Sequence, residues 1–413
     1  MSKNQRRPRH NTLAACILAR DEEDMLPGCI DSLKDEAGPV YDEIVIGLDT
    51  RTTDRTREIA LAYGAKIVEI AWPESDEERD FGAARNAVEA ATTADYLYWQ
   101  DADEVLVKGH QAIRDVVREG RLPSVRPVIV FSRDKFAQKE LAYPRQDLLH
   151  RRTTHKWNGR FHEWTEGPVG GARADIEVEH RDRPGGDRPH GDTFAMLRGN
   201  FVESTMPWHE RHMFYLAREH AGRPAGADAR GHWITALCII EKLLQHKAIA
   251  TGSPFQSSHA CLIAGELCSR LDDPDEARAW YLKSIQAWAA WAEPYYALGV
   301  LCYSVALQHL ANNKKAPANE QVKPDVIKVL FQEAAGWLIA GAQYEPPAYY
   351  TDLTLYRWRR YEALAVCLAR LGRLPEAYIW IQRAISNCPE NEMLKQQLAQ
   401  LEAAMPKPEA VST

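Results

Sequence analysis

The chain lacks several signatures that would place it quickly. No GxxxxGKS/T run is present, so a P-loop NTPase has no support. No GxGxxG follows the first apolar run, which removes the usual dinucleotide-binding fingerprint. No stretch approaches the roughly 18 apolar residues of a membrane span. The eight cysteines contain no CxxC pair and lie mostly in apolar, helix-like segments. They read as reduced small hydrophobes of a cytoplasmic protein. Positive charge is not in excess either. The 51 Lys and Arg stand against 58 Asp and Glu, and a net charge of −7 offers no field for nucleic acid or an anionic membrane.

What is present is ordinary globular material, 45% hydrophobic and 26% charged, in 413 residues. That length suits two or three domains. The basic start (Lys3, Arg6, Arg7, Arg9) reads as a solvated, disordered arm over 1–10. "LAACILA" follows, but it is short and runs straight into "RDEED" without a clean cleavage site. It reads as the first core strand rather than a signal peptide.

Up to about residue 180 the chain alternates short apolar runs with helical stretches. "LAACILA" (13–19), "EIVIGLD" (43–49), "AKIVEIA" (65–71) and "YLYWQ" (96–100) are the strands. "TDRTREIALAYG" is one of the helices, with Gly64 at its C-terminus. This alternation predicts an α/β, doubly wound and mostly parallel sheet, whose ligands bind beyond the carboxyl ends of the strands. Asp21, Asp49, Asp101 and Asp103 all fall just past those ends. A Gly/Pro-rich connector, "RDRPGGDRPHGD" (181–192), then gives way to a wholly helical pattern. In "YEALAVCLARLGRLPEAYIWIQRAISNCP" the apolar and small residues follow the spacing of a tetratricopeptide repeat of about 34 residues. Gly265, Ala277, Tyr281 and Ser284 repeat it, as do Tyr295, Leu298 and Gly299, and Ala335, Ile339 and Ala342. The expected boundaries are 11–205 for the α/β domain with a connector at 181–207, 208–405 for the helical repeats, and 406–413 for a tail.

The most pointed stretch is "YLYWQDADEV" (96–105). A buried strand ends in three carboxylates, Asp101, Asp103 and Glu104, although crowded acids raise one another's pKa. A positive group belongs there. Asp101-Ala102-Asp103 can hold a divalent cation through hard oxygen ligands, and Mg²⁺ or Mn²⁺ would neutralise a diphosphate. Bland readings compete at each position. Asp54 can cap the helix that begins near Arg55, Arg85 can be a helix-surface ion pair, and Glu104 can be a helix-start acid or one that supports the site without touching the metal.

The ordered motifs of residues 13–104 resemble the inverting family 2 glycosyltransferases with a GT-A fold. The nearest subgroup carries C-terminal tetratricopeptide repeats and includes bacteriocin-peptide glycosyltransferases. "ACILARDEEDMLPGCIDSL" is similar to the family's first strand and helix, and "DEIVIGLDTRTTDRTREIALAYGAKI" to its second element. "DFGAARNAVEAATTADYLYWQDADEV" is similar to its "ARN" helix and DxD strand, and looser likeness continues through "RQDLLHRR", "KWNGRFHEW" and "IEVEH". The resemblance implies that Asp21 and Asp49 contact the nucleoside. Arg85 would seat the base or diphosphate, Asp101 and Ala102 would line the nucleotide-sugar subsite, and Asp101 and Asp103 would meet the metal. His180 is the expected third ligand, in preference to His162. Glu163, in "FHEW", is the expected base, with Asp147, Glu166 and Asp175 as alternatives. Asp21 departs from the family's usual Asn, and Arg51 and Arg55 stand where the family has Gly. The expected enzyme is a metal-dependent inverting transferase of hexosyl type, using a nucleotide-diphosphate sugar, UDP-linked, with a peptide, protein or glycan acceptor. A homodimer through the repeats is possible. A non-catalytic repeat scaffold and a nucleotidyltransferase are the rival classes.

Overall fold

The computed structural model describes residues 10–145, 148–184, 193–203, 208–226, 228–245, 254–347 and 351–405. The expected arm, apart from His10, and the expected tail lie outside the described residues, as does most of the Gly/Pro-rich connector. The chain divides into two compact units. The first comprises residues up to Arg133 and Lys139–His212, and the second Asp134–Gln138, Met213–Pro347 and the chain from Thr351 on.

In the first unit each apolar run becomes a strand. In chain order these are β1 (Leu13–Ala19), the small hairpin β2 (Lys34–Asp35) and β3 (Gly38–Pro39), then β4 (Glu43–Asp49), β5 (Lys66–Ile70) and β6 (Tyr96–Trp99). There follow β7 (Glu104–Lys108), β8 (Ser124–Arg133), β9 (Lys139–Pro144), β10 (Leu149–Arg151), β11 (Lys156–Asn158), β12 (Trp164–Glu166) and β13 (Gly171–His180). Nine of them form one sheet of order β5-β4-β1-β6-β10-β8-β13-β7, with β9 paired to β8. β1 and β6 are almost wholly buried, as strands covered on both faces must be.

The parallel expectation holds from β5 through β4 and β1 to β6, and again for β8 with β13. The remaining pairs, β6–β10, β10–β8, β13–β7 and β8–β9, are antiparallel. Connection length accounts for one of them: the link from β8 to β9 is too short for a crossover helix, so the chain folds back there. The sheet is therefore mixed. Thr193–Glu203 forms a helix, where the sequence turns from its Gly/Pro-rich stretch to a helical pattern.

Helix Phe81–Ala90 packs on the sheet because β4 carries Gly47, where a Cβ would come within 2.7 Å of Val88. Asp80 caps this helix by accepting from the Ala83 amide at 2.7 Å.

The second unit consists of helix pairs. Pro254–Arg270 packs on Pro274–Ala287, Ala292–Asn313 on Pro324–Gly341, and Arg360–Arg370 on Leu374–Asn387, with Glu392–Ala404 following. The small residues singled out in the sequence sit at the crossings. A Cβ on Gly265 would lie 2.4 Å from the Tyr281 ring, and one on Gly299 would lie 2.6 Å from Leu338. Ser258 and Ser284 exchange hydroxyl–carbonyl hydrogen bonds across the first pair, at 2.9 and 2.7 Å. This is the α/β-then-all-α organisation expected of the sequence. No helix among the described residues is long and apolar enough to cross a membrane, and none of the eight cysteines is in a disulfide.

Candidate active site

The acids of "QDADEV" occupy the turn between β6 and β7. Gln100 anchors it, its side-chain amide donating to the carbonyls of Cys29 at 3.2 Å and Glu104 at 2.9 Å. Glu104 does not start a helix. It is the first residue of β7, 2% exposed, and its carboxylate accepts from the Asp101 amide at 3.0 Å.

Two arginines supply the positive charge that the sequence required. Arg145 donates to Asp101 at 2.9 Å and also to Glu104. Arg85 donates through Nη2 to Asp101 at 3.2 Å and through Nε to Glu163 at 2.7 Å. Arg85 is no surface residue. It is 5% exposed, with its guanidinium carbon 4.7 Å from the ring centres of both Trp99 and Trp157. Burial alone would raise the pKa of Asp101, but the Arg145 and Arg85 charges hold it well below the usual carboxylate range. Glu104 goes the other way, pushed up chiefly by burial.

Asp103 lies on the far side of the same turn. β13 returns antiparallel to β7, pairing His180 with Glu104, and the Arg181 amide donates to the Asp103 carbonyl at 2.8 Å. His180 thus faces Asp103, Nδ1 to Oδ1 at 3.7 Å, with its ring stacked on Phe131 at 4.8 Å. Arg183 stands 3.9 Å from Asp103 and is paired with Glu22. Burial, then the Asp101 charge, raises the Asp103 pKa against the opposing effects of His180 and Arg183.

These residues fit a divalent cation. Asp103 and His180 supply one carboxylate and one imidazole that face each other, donor types that such an ion accepts. Among the described residues no group of three or more His, Cys, Asp and Glu assembles around an ion, so further ligands would have to come from substrate oxygens and water. Asp101, expected to share the ion, has both oxygens on arginines instead.

Glu163 is brought to this cluster by a loop docked on the start of helix Phe81–Ala90. The amides of Phe81 and Gly82 donate to the carbonyls of Arg160 at 2.8 Å and Gly159 at 3.2 Å. A Cβ on Gly82 would lie 2.6 Å from the Gly159 carbonyl oxygen, so only glycine permits the contact. His162 adopts φ +54, and its carbonyl accepts from Arg211. It lines the loop and is not placed opposite Asp103. Of the alternative bases, Asp175 is tied to Arg173 and Glu166 is exposed at the end of β12. Asp147 lies outside the described residues.

The two nucleoside candidates are both engaged. Asp21, at φ +52, accepts from the Thr53 amide at 2.7 Å. Asp49, 2% exposed, accepts from the Arg51 amide at 2.8 Å and from its guanidinium at 2.8 and 3.1 Å. Those bonds lower its pKa although burial opposes them. Arg51, where the resemblance has glycine, thus covers Asp49. Asp54 accepts from the Thr56 amide at 2.9 Å and the Glu23 amide at 3.0 Å, but the N-cap position of the helix is Arg55, which makes no side-chain cap. Ala102 is buried within the turn.

Arg145, Arg183 and Glu22 are site residues that sequence reasoning missed. The available signal was arithmetic: three acids at one strand end demand more positive charge than Arg85 carries, and "YPRQD" follows a strand-like run.

Residues 14–165 match the model of a family described as Glycosyl transferase family 2. A TPR repeat-containing protein of Synechococcus elongatus is 41% identical over 95 residues, 23% of this chain. Glucosyl-3-phosphoglycerate synthase of Mycolicibacterium smegmatis is 33% identical over 94 residues, 22% of this chain. The chain spans 21% and 31% of the lengths of these two relatives. Among solved structures, S. aureus TarS gives a TM-score of 0.39 at 11% identity, covering 65% of this chain and 54% of that one. The MamA protein gives 0.33 at 15% identity, covering 48% and 83%. Residues 14–165 are thus similar to a family 2 glycosyltransferase domain, and a run of helix pairs lies in the second unit.

Proposed function

We propose that the protein is a metal-dependent, inverting glycosyltransferase that moves a hexose from a nucleotide-diphosphate sugar, UDP-linked, to an acceptor hydroxyl. One observation carries the reading: Arg85 ties the Glu163 carboxylate to Asp101, which puts a base candidate and the DxD turn in one cluster. Among the described residues only Oε1 of Glu163 is engaged, which leaves Oε2 for a proton. In the proposed step the acceptor oxygen bonds to the anomeric carbon as the bond from that carbon to the diphosphate oxygen breaks. Glu163 takes the acceptor's proton, and the nucleoside diphosphate departs from the opposite face, so the anomeric configuration inverts.

Asp103 and His180 would hold Mn²⁺ or Mg²⁺, which when bound neutralises charge on the departing diphosphate. Asp101 keeps Arg85 and Arg145 in place. Asp21 and Asp49 bind the nucleoside, with Arg51 moving off Asp49 as the donor enters. The acceptor is a peptide, as in the bacteriocin-peptide enzymes that the sequence resembles, or another protein or a glycan. The helical unit binds it or joins two copies of the chain. The chain acts in the cytoplasm.

The test is a panel of nucleotide sugars incubated with Mn²⁺ and with Mg²⁺. Release of nucleoside diphosphate supports the reading. Release of pyrophosphate would establish a nucleotidyltransferase, and no turnover of any donor a scaffold. Glu163→Gln then locates the base, with transfer expected to fall by about 10²–10⁴ while donor affinity holds.

A further inference from the structure

We propose that Glu89, which touches none of the residues expected to meet substrate, is a positioning residue for transfer. It fixes the two indoles that cradle Arg85, and through Arg85 it fixes Glu163. The inference rests on the reading of Glu163 as the base.

Glu89 lies one turn beyond Arg85 on helix Phe81–Ala90 and is 7% exposed. A single oxygen, Oε1, accepts from Nε1 of Trp99 at 2.9 Å and from Nε1 of Trp157 at 2.7 Å. The same oxygen is 3.2 Å from Nε2 of His150. Trp99 comes from β6 and Trp157 from β11, and their rings meet edge to face at 5.7 Å. An indole has one polar handle, its N–H, and here both handles close on one atom. The ring faces are thereby set, and Arg85 lies against both of them at 4.7 Å. Nη1 of Arg85 is buried with no hydrogen-bond partner in the structure. The guanidinium is therefore held by two acids and two rings, and turning either ring moves the donor that aligns Glu163.

A core that needed only packing would place a leucine at position 89, because a buried carboxylate is costly unless its hydrogen bonds repay it. What the carboxylate adds is orientation. Small displacements of a catalytic group are expensive in rate, so the effect belongs in kcat rather than in donor binding.

Glu89→Gln keeps a carbonyl oxygen that can accept from both indoles, whereas Glu89→Leu keeps volume and removes the acceptor. Transfer by Glu89→Gln is expected within about fivefold of the unmodified enzyme. Glu89→Leu should lower kcat about 10–100-fold with donor KM within about twofold. The indole N–H resonances of Trp99 and Trp157 should lose their hydrogen-bond shift in the leucine variant alone. In a Glu163→Gln background Glu89→Leu should cost nothing more, because the group it aligns no longer acts as a base.

A folded leucine variant with normal kcat overturns the proposal. So does an equal fall in both backgrounds, which marks a purely structural role. Should the leucine variant not fold, Trp157→Phe keeps the ring and loses one bond, and normal kcat there overturns the proposal as well. An unmodified protein that turns over no nucleotide sugar overturns the functional reading itself, whatever the resonances show.

Discussion

Glu293 in the helical unit is the best place to read the physics of burial directly. It sits in the first turn of helix Ala292–Asn313, almost fully buried, and accepts hydrogen bonds from the hydroxyls of Thr351 and Tyr356. Burial pushes its carboxyl up to about 7, against the opposing effect of the Tyr356 hydroxyl, and the Asp352 charge adds to the rise. A carboxyl raised on folding is neutral in both states below pH 4.5, so no stability is lost there. As pH rises, the unfolded state ionises first, and stability falls until the folded group has also ionised, above about pH 7. The shift from 4.5 to about 7 corresponds to roughly 3 kcal/mol. Glu293→Gln cannot ionise, and either hydroxyl can turn to accept from the new amide. The variant should be more stable than the unmodified protein by about 1–3 kcal/mol at pH 8. It should be equal or weaker by up to about 1 kcal/mol at pH 4.5, where one rearranged hydrogen bond is the only change. Hydrogen exchange of the amides of Ala292–Asn313 in the full chain, corrected for intrinsic rates, reads this locally. Opening free energies that are the same at both pH values in the unmodified protein would refute the burial account. So would a Gln variant that keeps the unmodified slope.

Asp103→Ala should abolish Mn²⁺-dependent donor turnover while thermal melting is retained or raised, since one of the crowded acids is gone; undiminished turnover removes Asp103 from the metal site. Gly265→Ala puts a methyl 2.4 Å from the Tyr281 ring and should cost about 1–3 kcal/mol by overpacking, visible as faster exchange in Pro254–Arg270. Glu266→Lys reverses charge in a cavity of the helical unit that is also lined by Tyr296, Asp352 and Arg359. Donor hydrolysis should persist while acceptor transfer or self-association is lost, and normal values for both would leave the repeats as packing only.

The parts of the fold that were legible are those in which local pattern and tertiary demand coincide. "LAACILA" and "EIVIGLD" are strands with the bounds the sequence suggested, because a parallel strand covered on both faces must be apolar throughout. Gly64 takes φ +73 after its helix, as the C-cap reading required. The antiparallel half was not legible, since β10 is three residues long and nothing local says which strand it joins. The site divides in the same way. Asp101 and Asp103 announce themselves by crowding, but their partners arrive by non-local pairing, His180 on β13 and Arg145 after β9. Arg85 is expected at the site, but its burial was not legible, because its flanking indoles come from two distant strands. Glu104 begins a strand rather than a helix, and its pairing with Arg145 makes it the supporting acid that the sequence also allowed.

The late return of β13 to β7 has a consequence for how the molecule is made. On the ribosome the acid turn emerges first, with Arg85 as the one cation of its cluster already synthesised. Arg145, His180 and Arg183 follow only as translation proceeds, at about 5–20 residues per second. Until then Asp101, Asp103 and Glu104 repel one another, and β7 has no partner strand to close against. The residues that face the acid turn are therefore also those that end the folding of the sheet, so a nascent chain that has not finished its first unit keeps three crowded carboxylates with one cation beside them.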